Sequence, residues 1–173
     1  MNIQPLLEAS WAIQIHAYAA IAAFFLGAYI LFRKKGDRLH RTGGRIWIAL
    51  MLTVALTSFF IHTIRVWGPW SPIHLVSVGT LMSLAYGLWL IRRRIVVGHA
   101  SVMKATYTGA LIVAGTLTFL PGRIMNDVFF GGPNPLAGIV ALAALITAGV
   151  GLFILARRSS ATRRQRLSAA HSA

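Results

Sequence analysis

Five apolar runs free of Asp, Glu, Lys and Arg divide the chain, and they constrain its fold more than any motif does. They lie at Trp11 to Phe32, Ile46 to His62, Ile73 to Ile91, Ala105 to Pro121 and Leu136 to Ala156. At about 1.5 Å of rise per residue, a helix of roughly 20 residues crosses a hydrocarbon layer of ~30 Å, where only internally bonded backbone is tolerated. The fold class this predicts is an all-α integral membrane protein with five transmembrane helices, the first four forming a bundle. With 57% hydrophobic and 12% charged residues over 173 positions, the short connections leave no room for a soluble domain. The chain therefore reads as one membrane domain, 1–173, with 136–156 as the fifth helix and 157–173 as a basic tail.

Charge orients these runs. Seventeen Lys and Arg stand against Glu8, Asp37 and Asp127, a formal charge of +14 that in a soluble chain would suggest nucleic acid. Position argues otherwise. Six basic residues follow the first run, four follow the third and five follow the fifth, whereas the second and fourth connections hold only Arg65 and Arg123. That alternation predicts an N-terminus outside, a cytoplasmic C-terminus and cytoplasmic loops against anionic lipid, with no role for nucleic acid. The first run lacks a basic leader and a small-residue cleavage site, so it is expected to remain in the mature protein. Without cysteine there is no disulfide, thiolate metal site or covalent haem attachment.

The histidines carry the remaining chemistry. Under this topology His16 and His74 fall at the outer level of the first and third helices, and His40 and His99 at the inner level of the second and fourth. If alternate helices face each other, His16 meets His74 and His40 meets His99, the axial nitrogen pairs that two b-type haems would need. Small residues line some of these faces: His16 shares a stripe with Ala19, Ala23 and Gly27, and His40 a side with Gly43, Gly44 and Trp47. His99, Met103 and Tyr107 recur every fourth residue. Haem b and an electron donor or acceptor are thus the cofactor and partner expected on this reading, making the protein an oxidoreductase of the electron-transfer type.

Other readings need less. Histidines at helix ends serve more often as hydrogen-bonded structural residues, and small-residue stripes more often as plain helix contacts. His62 competes with His74 for the outer level, and three outer imidazoles, His16, His62 and His74, would suffice for zinc. A proton relay would have to run through histidines alone, since no acid lies within a run. A non-catalytic accessory or assembly protein held by its basic loops accounts for most charges but not for His40 and His99 sharing a level.

"HRTGGRIW", with His40, Arg41, Gly44 and Arg45, followed by "GHASVMK", with His99, Met103 and Lys104, and then Arg123, resembles the bacterial membrane-protein family known as domain of unknown function 2306. The likeness runs from about Trp11 to Arg123, a four-helix core. It implies a multi-pass protein of the bacterial cytoplasmic membrane and assigns no catalytic residue. The histidine alternation is also similar, more loosely, to cytochrome b561-type carriers, which implies two haems shared by alternate helices; the ascorbate-binding motif of those carriers is not recognisable.

Overall fold

A computed structural model describes residues 2–62, 68, 71–130, 140 and 143. The ordered elements are α1 (Gln4–Leu7), α2 (Trp11–Phe32), α3 (Arg38–Ser58), α4 (Pro72–Arg92), α5 (Val96–Thr106), α6 (Ala114–Thr116) and α7 (Ile124–Phe130). A π-helical segment, Tyr107–Val113, joins α5 to α6, and a 3-10 turn, Leu117–Phe119, completes that rod. Among the described residues every regular element is helical.

Three stretches are long and apolar enough to cross a membrane: Trp11–Phe32, Ile73–Arg92 and Val96–Phe119. The expected second span begins eight residues early as helix, and its first turns carry Arg41 and Arg45, which keep α3 out of that set. The fourth span likewise starts at Val96 rather than Ala105, because the helix extends through "GHASVMK". The fifth run, 136–156, and the tail, 157–173, lie outside the described residues.

Local chemistry explains the boundaries. Lys35 Nζ closes α2 by donating to the Arg33 carbonyl at 2.9 Å and to the carbonyls of Ile30 and Leu31, a cation on the negative end of the helix dipole. Gly36, at φ +84°, supplies the left-handed residue of the turn. Asp37 caps α3 by accepting the His40 N–H at 2.7 Å. Pro72, in the first turn of α4, lacks only a donor that would be unpaired there anyway.

Neighbouring helices run antiparallel: α2 packs on α3, α3 on α4 and α4 on α5, and the π segment returns to α2, closing a four-helix bundle. Its core is Ala23, Ile30, Trp47, Met51, Leu84, Met103, Tyr107 and Leu111. Small residues make this packing possible. A Cβ at Gly27 would stand 2.5 Å from Trp47 Nε1 and 2.7 Å from the Tyr107 ring, and one at Gly87 would overlap Met103. Trp47 Nε1 donates to the Ala23 carbonyl at 3.0 Å and Tyr107 Oη to the Phe24 carbonyl at 3.1 Å, so two aromatic side chains clasp consecutive residues of α2.

One end of the bundle is basic, with Arg33, Lys34, Lys35 and Arg38 between α2 and α3 and Arg92, Arg93 and Arg94 after α4. The other end carries an unexpected cap. The stretch "GRIMNDVFFGGPN", expected as a connection, contains α7, which packs on α1 around Leu6, Ala17 and Val128. Asn2 N–H donates to the Val128 carbonyl at 2.9 Å, tying the two short helices together.

Candidate functional site

The inward face of α3 begins with His40 and continues through Gly44, Trp47 and Met51, one or two turns apart. Trp47 and Met51 are buried in the core, so Gly44 lies on the same arc, nearer the basic end. A Cβ at Gly44 would meet nothing within 4 Å, unlike those at Gly27 and Gly87. There is therefore room beside His40. The His40 Nδ1 atom is itself buried and has no hydrogen-bond partner.

Opposite stands His99, in the first turn of α5, with Met103 one turn further in and buried. His99 Nδ1 lies 2.9 Å from the Gly87 carbonyl of α4. A carbonyl only accepts, so Nδ1 carries a proton, and in the neutral tautomer Nε2 is the nitrogen with the lone pair. His99 is near enough to His40 to act on it electrically: desolvation first, then the Lys35 and His99 charges, lower the basicity of the His40 imidazole from its ordinary value. These effects favour the neutral ring.

The motif residues thus sort by face. His40 and Gly44 point inward from α3, and His99 and Met103 inward from α5. Arg41 and Arg45 are exposed on the other side of α3, Arg41 Nε donating to the Gly36 carbonyl at 3.0 Å. Arg123 precedes α7 at the opposite end, where its carbonyl accepts the Asp127 N–H at 3.2 Å. Gly87 carries no motif signal, yet it supplies the His99 acceptor and the space that Met103 fills.

At the opposite end the histidines are engaged differently. His16 Nδ1 lies 3.0 Å from the Val54 carbonyl and 3.2 Å from Thr57 Oγ1, turning the ring toward α3. His74 is buried in the first turn of α4, where its Nδ1 accepts the Ser71 N–H at 3.0 Å. An accepting Nδ1 places the proton of the neutral ring on Nε2. The His74 ring packs against Phe59, centroids 5.8 Å apart, and against His62 at 5.5 Å. The two residues expected to compete for this level are therefore direct neighbours. Ser58 and Ser77 hydrogen-bond each other in the same buried layer. No group of three His, Asp or Glu side chains positioned for a metal ion is found among the described residues, which removes the zinc reading for His16, His62 and His74.

A closed antiparallel bundle with three membrane-length apolar helices and polar groups gathered at its two ends defines a multi-pass helical membrane protein. The chain belongs to the family described as predicted membrane protein, domain of unknown function 2306, whose profile matches residues 13–155 and so includes both motifs. No curated protein and no solved structure matches it. The looser likeness to cytochrome b561-type carriers has no support from these comparisons.

Proposed function

We propose that the protein is a membrane electron carrier holding one b-type haem at its basic end, between His40 of α3 and His99 of α5. The observation that carries the proposal is the buried, unpartnered His40 Nδ1 beside the open space at Gly44. Three features favour such a ligand. His99 donates its Nδ1–H to a backbone carbonyl, the usual arrangement of a metal-bound imidazole, which orients the ring and raises the basicity of Nε2. The surroundings of His40 favour the neutral form that a ligand requires, and its Nδ1 is left unpaired in a buried position. Gly44 leaves the face between His40 and Trp47 flat.

When bound, haem would supply one-electron transfer; the chain's own part is to hold two imidazoles on facing helices and to exclude water with Trp47, Met103 and Leu84. The opposite end does not enter the proposal, because His74 Nδ1 already accepts the Ser71 N–H and its ring packs on Phe59 and His62. On the positive-inside rule the basic end faces the cytoplasm, placing the site where a soluble donor or acceptor can reach it.

The test is the haem content of the full chain purified in mild detergent after expression with ample haem precursor. One haem per chain is expected, lost in His40→Ala, in His99→Ala and in the space-filling Gly44→Leu, and retained in His74→Ala. A colourless wild-type protein, or a haem that survives both His40→Ala and His99→Ala, overturns it.

A further inference from the structure

Arg38, Arg41 and Arg45 recur on one side of α3, away from the inward face that bears His40 and Gly44. The haem reading does not use them. The same stripe continues as Ala49, Leu52 and Leu56, and all six residues are exposed, Leu52 by 38% and Leu56 by 52%. One exposed face of α3, which packs between the membrane-length helices α2 and α4, therefore changes from arginine to aliphatic part way along. With α2 and α4 across a bilayer, the apolar part of that face would meet lipid chains and its arginines the same lipids nearer their headgroups.

Depth supports this. The Gly43 position lies against Ile30 and Leu26 of α2, and Trp47 bonds the Ala23 carbonyl, so Arg45 stands level with about Leu26 or Gly27. The apolar run of α2 extends to Phe32, roughly five residues or about 8 Å further toward the basic end. Arg45 is thus set inside the apolar boundary of its neighbour, where a bare guanidinium is costly unless it snorkels to an anion. The protein offers none: among the described residues the sole ion pair is Arg33–Asp37, at 2.7 Å. The basic end carries ten Lys and Arg, from Arg33 to Lys104, against Asp37 alone.

We propose that the Arg38–Arg41–Arg45 face of α3 is a binding site for the phosphate of an anionic phospholipid in the leaflet at the basic end. Arginine suits phosphate because its planar fork forms two parallel hydrogen bonds, and three guanidiniums stepped one turn apart follow a headgroup from the glycerol level outward. The acyl chains then lie along Ala49, Leu52 and Leu56 of the same stripe. Net negative charge on the lipid matters because the surroundings are uniformly cationic. The proposal does not depend on haem.

Native mass spectrometry of the full chain from mixed micelles containing phosphatidylglycerol or phosphatidylcholine tests it. Phosphatidylglycerol should be retained preferentially, and Arg38→Gln/Arg45→Gln should weaken its retention roughly tenfold or more. That pair is chosen because neither side chain bonds the protein, so the fold is kept; Arg45→Lys, which keeps charge without the fork, should fall in between. The control Arg92→Gln/Arg93→Gln removes the same charge from the α4–α5 turn and should weaken retention less than threefold. Equal losses in the two double variants would reduce the effect to net charge and overturn the site. Equal retention of both lipids would also overturn it, as would thermal stabilisation by millimolar inorganic phosphate that matches that of the lipid, which would point to a solution anion.

Discussion

At Gly27 the bundle has no room for a methyl group, since Trp47 and Tyr107 already stand where its Cβ would go. At Gly79, on an exposed face of α4, a Cβ would meet nothing within 4 Å. The same substitution should therefore have opposite signs. Gly27→Ala is expected to destabilise by about 1–3 kcal/mol through overpacking of two clasped aromatic rings. Gly79→Ala should stabilise by roughly 0.5–1 kcal/mol through reduced backbone freedom. Thermal unfolding in one detergent measures both, and a neutral Gly27→Ala would mean that the Trp47–Tyr107 clasp is looser than described. Residue identity was partly legible in the sequence. Ala23 and Gly27 stand out by spacing, but what fills the space they leave, an indole from α3 and a phenol from the π-helical segment, depends on contacts between distant elements that spacing does not encode. His74 shows the same limit: its place in a helix's first turn is readable, while its acceptance of the Ser71 N–H, which sets the tautomer of the neutral ring, is not.

Among the elements, α3 departs most from the expected scheme, and Asp37 is the reason it starts where it does. A capping carboxylate lets the helix begin eight residues before its apolar run, amid the charges that argued for a loop. Hydrogen bonding to Arg33 and to the His40 N–H holds the Asp37 carboxyl below its ordinary range. The stability this contributes is fully present above the ordinary carboxylate pKa and is lost as pH falls through the lowered one. Wild-type protein should thus lose thermal stability on strong acidification; Asp37→Asn, which still caps, should show a flatter acid profile, and Asp37→Ala a lower melting temperature even at neutral pH. An acid limb unchanged in Asp37→Asn would assign the loss to another group. The rod from Val96 to Phe119 holds a second departure, its π segment. The helix widens from Tyr107 onward, yet the four-residue repeat of His99, Met103 and Tyr107 continues to Leu111, and Met103, Tyr107 and Leu111 reach the core. Spacing thus showed the face but not the change of turn along it.

For the whole molecule, hydropathy and charge conveyed the helical membrane class, and the family match agrees with it. The cap of α1 and α7 was not legible, because both helices are shorter than the window over which an apolar pattern becomes visible. Absence of cysteine makes the predicted orientation easy to check. Lys34→Cys and Phe60→Cys, at opposite ends of α2 and α3, should react with a membrane-impermeant maleimide from opposite sides, Phe60→Cys from outside intact cells and Lys34→Cys only in inverted vesicles. Labelling of both from one side would contradict a bundle that crosses the bilayer.

The bond between Asn2 and Val128 sets an order on how this molecule is finished. The stretch that forms α1 is synthesised before the bundle, yet the surface it rests on is not made until all four helices of the bundle have been. At ~5–20 residues per second the wait is on the order of ten seconds. Throughout that interval Leu6 and Ala17 lack the Val128 side chain they pack on. Docking of α7 on α1 is consequently a late event in biogenesis.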